Sequence, residues 1–269
     1  MPFGGNVTAA GVGQVEIRGL AIAYDGKRSA TRHLALAPTD LTIAAGSFVS
    51  LIGPSGCGKS SLLNAVGGFV KPSEGQVLVD GKPVIGPNPD VGVIFQQYAL
   101  FPWFSALGNV EFALKRFGLP RAELRDLAME ALREVGLEQH AHKYPGQLSG
   151  GMKQRVAVAR TLAARPKVLL MDEPFGALDA QTRIAMHEIL MRVWENHKST
   201  VIFVTHDVDE ALLLSDRVHV MSVAPGRIVR TLEVTGPRPR SVDRIDPETL
   251  AHRVTVLQLL KQAHAGEDG

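Results

Sequence analysis

The chain carries a single cysteine, Cys57, in 269 residues. No internal disulfide can form, which fits a protein that folds in a reducing compartment. It also lacks any apolar run approaching the roughly 18 residues of a membrane span. Its first stretch, Met1 to Gln14, has no basic segment followed by an apolar core. These absences predict neither a span nor a secretory signal, so any membrane role must pass through another chain. Charge of one sign is missing too: 29 Lys and Arg stand against 27 Asp and Glu, a net charge of +2. So small a field points to no nucleic-acid or polyanion partner. No internal repeat is visible. The 45% of hydrophobic residues is ordinary for a globular chain, and the length allows one large or two small domains.

Against that plain background one stretch stands out: Gly53-Pro54-Ser55-Gly56-Cys57-Gly58-Lys59-Ser60. It fits the spacing G-x-x-x-x-G-K-[ST] of a phosphate-binding loop. The apolar run Phe48 to Ile52 before it predicts a buried strand, and Leu62, Leu63 and Val66 after it fall at helical spacing. Glycines let the backbone curl until several N–H groups point at one anion, and the helix presents its positive end to the same place. In such a loop Lys59 reaches the β- and γ-phosphates and Ser60 holds Mg²⁺. A glycine-rich turn that merely contained a lysine would not need that strand and that helix. The helix end and Lys59 also predict a thiolate-prone, reactive Cys57.

Residues 1–14 have no periodicity and are predicted to be a loose tail. Val15 to Arg18, Ile22 to Tyr24 and Leu41 to Ile43 are short strand candidates. Gln76 to Val79 runs into Asp80-Gly81, a hairpin signal. After the strand candidate Val91 to Phe95 the character changes, and about 97–150 reads as a mainly helical insert, with an amphipathic helix from Glu123 to Val135 stopped by Gly136. Next come the strand Val168 to Met171, a helix near 180–196 capped by Asp179, the strand Thr200 to Val204, a short helix from Asp207 to Leu214 and the strand Arg217 to Met221. Strands alternating with helices predict a parallel sheet covered on both faces. Pro237, Arg238, Pro239 and Arg240 mark a linker. Asp246 and Pro247 then open a last helix with Leu250, Val254, Leu257 and Leu260 on its apolar face.

Two further constellations carry chemistry. Val168 to Met171 ends in Asp172-Glu173, which places two carboxylates at the carboxyl edge of the sheet beside the phosphate loop. Asp172 is placed to bind Mg²⁺, directly or through water. Glu173 is placed to polarise an attacking water. A solvated pair capping a strand is the plainer reading, and the phosphate loop on the same edge argues against it. The other constellation is Leu148-Ser149-Gly150-Gly151-Met152-Lys153-Gln154-Arg155. Ser-Gly-Gly opening a helix makes a second anion site from a hydroxyl, bare N–H groups and a helix dipole.

Taken together, Gly53–Ser60, Leu148–Arg155 and Val168–Pro174 resemble the ATP-binding subunits of ABC transporters, over roughly residues 15–230. The resemblance implies an α/β fold: a P-loop NTPase (ABC ATPase) core with an antiparallel β subdomain and a helical subdomain. It divides the chain into a tail at 1–14, an ATPase domain at 15–235 and a linker with a C-terminal helix at 236–269. It implies ATP and Mg²⁺ as ligands. It also implies a head-to-tail dimer in which Ser149, Gly150 and Gly151 of one subunit contact the γ-phosphate held by the other. By position, Tyr24 would stack on adenine, Ser61 would add an α-phosphate contact, and Gln96 would touch Mg²⁺ and sense the transport partner. Asp179 would cross the dimer interface and His206 would contact the γ-phosphate. Without the resemblance, Tyr24 reads as strand packing, Gln96 as a polar strand end and His206 as a helix cap or satisfied histidine.

Tyr98 to Trp103, Asp172 to Asp179, Met221-Ser222 and Pro225-Gly226-Arg227-Ile228 look like the nitrate/sulfonate/taurine import group. Too little chain follows Arg230 for the added regulatory domain of maltose- and methionine-type subunits. The implied function is ATP hydrolysis driving import of a small anionic solute. Its partners are integral-membrane permease subunits and, indirectly, an extracytoplasmic solute-binding protein, with no nucleic acid. The implied place is the cytoplasmic face of the cell membrane, as a peripheral protein. Two other classes compete. A soluble ABC ATPase acting on nucleic acid or the ribosome usually has two cassettes or a long coiled-coil insert, and this chain shows neither. A P-loop phosphotransferase would need neither Leu148–Arg155 nor a hydrolytic Glu173.

Overall fold

A computed structural model describes residues 12–25, 32–223, 225–238, 240 and 247–265. Six strands build the larger sheet: β3 (Phe48–Ile52), β6 (Val91–Ile94), β7 (Val168–Asp172), β8 (Thr200–Thr205), β9 (Arg217–Ser222) and β10 (Arg227–Glu233). Their spatial order is β10-β9-β3-β8-β7-β6. The pairs from β9 to β6 are parallel, and β10 is an antiparallel edge. Alternation within each strand feeds two cores, as burial on both faces requires. Phe48, Leu169, Met171, Val201 and Phe203 face one apolar cluster. Val49, Leu51, Val168, Leu170, Ile202 and Val204 face another.

The second cluster is roofed by an antiparallel sheet of β1 (Val15–Asp25), β2 (Arg32–Ile43), β4 (Glu74–Val79) and β5 (Lys82–Pro83), in the order β2-β1-β4-β5. The short strand candidates near Tyr24 and Ile43 thus belong to strands of 11 and 12 residues. Register shifts between Ile17 and Ala23 interrupt the regular alternation of β1, so its two ends read from sequence as separate short pieces. Asp80 and Gly81 form the β4–β5 turn with φ of 50° and 72°, the positive values a two-residue hairpin demands. The predicted tail is shorter than expected where it can be described: Gly13 N and Gln14 N donate to Asp80 Oδ1 at 2.7 and 3.1 Å. Residues 1–11 lie outside the described residues.

The first cluster is closed by helices. α2 (Ala106–Leu114), α3 (Arg121–Glu134) and α4 (Gly150–Ala163) form the helical unit, and α5 (Ala180–His197) packs Met186, Leu190 and Trp194 into the same core. Trp194 meets Phe48 edge-on at 5.7 Å between centroids, and its indole N–H donates to Ser199 O at 2.8 Å. Two linker arginines are held in place. Arg238 lies 4.7 Å over the Trp194 ring and pairs with Asp216 at 2.9 Å. Arg240 donates to Ser215 O and Val234 O at 2.6 and 2.8 Å.

Beyond it, α6 (Val208–Leu214) and α7 (Pro247–Ala265) pack together. Of the expected apolar face, only Leu260 packs inward. Leu250, Val254 and Leu257 are exposed, whereas Val256 is fully buried and Leu259 and Leu260 pack beside it. The inward stripe is Thr249, Arg253, Val256 and Leu260, and Arg253 joins it because it pairs with Asp209 on α6 at 2.7 Å. Asp246, the expected cap, lies outside the described residues. Among the described residues no helix is long and apolar enough to cross a membrane.

Candidate functional site

The loop from Gly53 to Gly58 leaves the carboxyl end of β3 and opens α1 (Lys59–Val66). Gly58 caps the helix with φ of 87°, a conformation that strains any side chain. A Cβ there would also lie 2.8 Å from Ala35 O on β2. The loop walls a cleft of about 420 Å³ whose other sides are Ala35, Ser60, Ser61, Glu173 and His206. Lys59 is 7% exposed, and its ammonium donates to Gly53 O and Pro54 O, both at 2.8 Å.

The carboxyl ends of β6, β7 and β8 reach the same edge. Ser60 Oγ donates to Asp172 Oδ1 at 3.2 Å. Burial pushes the Asp172 carboxyl above the usual range, partly offset by that hydrogen bond. A hydroxyl and a poorly solvated carboxylate this close are hard oxygen donors that suit Mg²⁺. Glu173 N continues the ladder to Val204 O at 2.9 Å. Its φ then turns to +44°, a strained value for this residue type that aims the side chain back over the cleft. Its Oε2 sits 3.3 Å from His206 Nδ1. A Cβ placed on Gly176 would lie 3.7 Å from Gln96 Nε2 and 3.9 Å from Glu173 Oε2, so the two side chains converge there. On the outer rim Tyr24, 43% exposed, donates to Ser61 Oγ at 3.1 Å.

Ser149, Gly150, Gly151 and Asp179 do not line this cleft. They make a second cluster where α4 and α5 begin. Ser149 Oγ accepts from Met152 N at 3.3 Å, and Asp179 accepts from Thr182 N and Oγ1 at 3.0 and 2.6 Å. The two bonds from Thr182 hold the Asp179 carboxyl below its usual range. A Cβ on Gly151 would meet Thr182 Cγ2 at 2.5 Å, so the helix ends touch.

One expectation fails outright. Cys57 is fully buried, and burial raises its thiol pKa, outweighing Lys59. A side chain on Gly53 would collide with the Cys57 sulfur and Met221 O, each at 2.7 Å. The thiol is therefore packed in against Gly53, with the Lys59 ammonium 3.5 Å away. Gly226, read from sequence only as a mark of the import group, lies behind the same loop. A Cβ there would be 2.1 Å from Cys57 O, and Ala37 N donates to its carbonyl at 2.8 Å. No local signal announces that approach, or the role of Ala35 as a wall, because both arise from distant segments meeting.

A family profile described as ABC transporter matches residues 36–176. This chain belongs to that family. It is accordingly an ATPase. The ABC ATPase is 49% identical over 230 residues to the taurine import ATP-binding protein TauB of Chromobacterium violaceum, covering 83% of this chain and 88% of that one. It is 45% identical over 241 residues to the nitrate import ATP-binding protein NrtD of Synechococcus elongatus, covering 88% of each. An uncharacterized ABC transporter ATP-binding protein of Methanocaldococcus jannaschii is 50% identical over 230 residues, with 86% and 85% covered. Among solved structures, the ATP-binding cassette MJ0796, a dimer bound to ADP and Pi, superposes with a TM-score of 0.72 at 34% identity. The match covers 82% of this chain and 99% of that one.

Proposed function

We propose that this ABC ATPase powers an importer for a small oxyanion or sulfonate. Two copies would assemble head to tail with ATP between them. The observation that carries the dimer is the separation just described: the phosphate loop, Asp172, Glu173 and His206 share one cleft, while Ser149–Gly151 cap a helix outside it. A helix start with bare N–H groups suits an anion supplied by a second copy. The solved dimeric cassette and the taurine and nitrate import relatives support the same reading.

In this reading the glycine loop and Lys59 hold the β- and γ-phosphates, Ser61 adds an α-phosphate contact and Tyr24 stacks on adenine. Ser60, Asp172 and Gln96 hold Mg²⁺, which when bound neutralises phosphate charge. Glu173 accepts a proton from water as its oxygen attacks the γ-phosphorus and the bond to the β-phosphate oxygen breaks. His206 orients Glu173 and contacts the γ-phosphate, and Asp179 meets the partner copy. The permease would dock on the helical unit, where Trp103 is 67% and Phe112 45% exposed beside Phe101. Such an aromatic patch is the usual signature of a partner surface. That docking places the protein peripherally on the cytoplasmic face of the membrane, with the solute-binding protein reached only through the permease.

The test is Ser149→Arg, which sets a bulky cation on the partner-facing helix start and leaves the phosphate loop intact. ATP binding should persist while hydrolysis falls at least about a hundredfold. Normal hydrolysis by this variant as a dilute monomer would remove the dimer and with it the motor reading.

A further inference from the structure

His206 is 65% exposed at its side chain and touches Glu173 alone among the ion pairs found for it. Its position is therefore set by its neighbours in the chain, and both are pinned. Thr205, 2% exposed, accepts from Asp207 N at 3.0 Å and donates to Glu210 Oε2 at 2.6 Å. Asp207 Oδ1 caps α6 by accepting from Asp209 N and Glu210 N at 2.9 and 3.1 Å. Glu210 is 5% exposed, and its other oxygen faces His187 Nε2 at 3.2 Å.

One side chain ties this knot to another loop. Arg183, in the second turn of α5, donates from Nη1 to Asp207 Oδ2 at 3.4 Å and from Nη2 to Leu178 O at 3.1 Å. Its Nε lies 3.6 Å from Glu210 Oε1. Leu178 immediately precedes Asp179. A planar guanidinium holds two acceptors, Asp207 Oδ2 and Leu178 O, in fixed and different directions, which a rotating ammonium does not. One arginine thus bonds the backbone that presents Asp179 and the acid that follows His206.

We infer that Arg183 is a positioning residue for ATP hydrolysis, a clamp that makes the placement of His206 depend on the Asp179 loop at the partner surface. This rests on the proposed roles of His206 and Asp179. Closing the dimer on Asp179 then sets His206 against the γ-phosphate in the same motion. Glu210 and Thr205 form the rigid base of the clamp. His187 packs against Phe175 at 5.2 Å between centroids, so the segment after Glu173 shares that base.

The test is a double-mutant cycle on the full chain, read by single-turnover hydrolysis and by equilibrium ATP binding. Arg183→Lys keeps the charge and loses the fork. It should hold ATP within about twofold of wild type and lower the hydrolysis rate about tenfold or more with little change in KM. In a His206→Ala background the same change should cost less than about twofold, because the residue it positions is gone. Asp207→Asn keeps the helix cap and loses the ion pair. It should reproduce the effect, and it carries the cycle if Arg183→Lys does not fold. Rates that multiply independently in the double variant would overturn the clamp, as would a wild-type rate in both single variants. Glu173→Gln serves as the control on the underlying reading. If it hydrolyses normally, the site assignment has failed; if it is inactive while the cycle is additive, only the clamp has failed.

Discussion

Lys59 offers a prediction whose size can be worked from the structure. Its ammonium has three donors. Two are spent on Gly53 O and Pro54 O at 2.8 Å, and the third has only the Cys57 sulfur, a weak acceptor, at 3.5 Å. The ammonium thus ties the loop to itself, with one donor and the charge left for a phosphate oxygen. Lys59→Ala should act twice. Without nucleotide it loses two charge-assisted bonds whose carbonyls water can partly re-satisfy, costing about 1–3 kcal/mol in all. For a domain of this size that lowers the melting temperature by about 2–10 °C. With nucleotide it also loses the phosphate contact, about 2–4 kcal/mol, or roughly a 30- to 1000-fold weaker Kd. Lys59→Arg keeps the charge, but a longer planar group in a site this buried cannot bond both carbonyls of one tight turn. It should fall between. Thermal melts without nucleotide and equilibrium ATP titration measure the two effects separately. Wild-type ATP affinity in Lys59→Ala would refute the reasoning at its root.

Other outcomes follow from the same geometry. Glu173→Gln should bind ATP, slow hydrolysis by about 10²- to 10⁴-fold and accumulate an ATP-dependent dimer on sizing columns; turnover at the wild-type rate would assign the base elsewhere. Cys57 should react with a maleimide at pH 7.5 at least about a hundredfold more slowly than an exposed thiol, since burial both shields it and raises its pKa; labelling within about threefold of free cysteine would contradict the buried placement. Asp172 has a raised pKa, so the fold favours its neutral form, an advantage complete at low pH and lost as pH rises through the raised value. At neutral pH the buried charge therefore costs stability, and Asp172→Asn should hold or raise the nucleotide-free melting temperature while abolishing hydrolysis. A clear fall in melting temperature would show the carboxylate to be structural.

The loop from Gly53 to Ser60 was legible because its shape is local: glycines, one lysine and one serine between a buried strand and the helix that follows. The same holds for Ser149, Asp179 and Asp207, which cap the helices that follow them. Asp172 and Glu173 were legible because a buried parallel strand that ends in acids must present them at its carboxyl edge. What sequence could not show depends on distant contacts. The burial of Cys57 is decided by Gly53 and Gly226, which let Met221 and the β2 backbone close behind the loop. The face of α7 is decided by Asp209, since Val256 and Leu260 offer as plausible a stripe as Leu250, Val254 and Leu257. Arg183 carries no sequence signal at all, because its two acceptors, Leu178 O and Asp207, belong to separate segments that only the fold brings together.

The ladder between β7 and β8 constrains how this chain can change length. Asp172 is the last residue of β7 in register, opposite Val204, and Glu173 and His206 are the first side chains to meet beyond it. One residue added to or removed from either strand would slide the ladder. It would turn Leu169, Met171, Val201 or Phe203 to the opposite face and part the acid from the imidazole. The link between α2 and α3 has no such coupling: Gly118 stands clear of any neighbour, with φ of 64°. Insertions and deletions among working relatives should therefore collect near Gly118 and be absent from 168–172 and 200–206. At this site the geometry depends on the count of residues along two strands as much as on their identity.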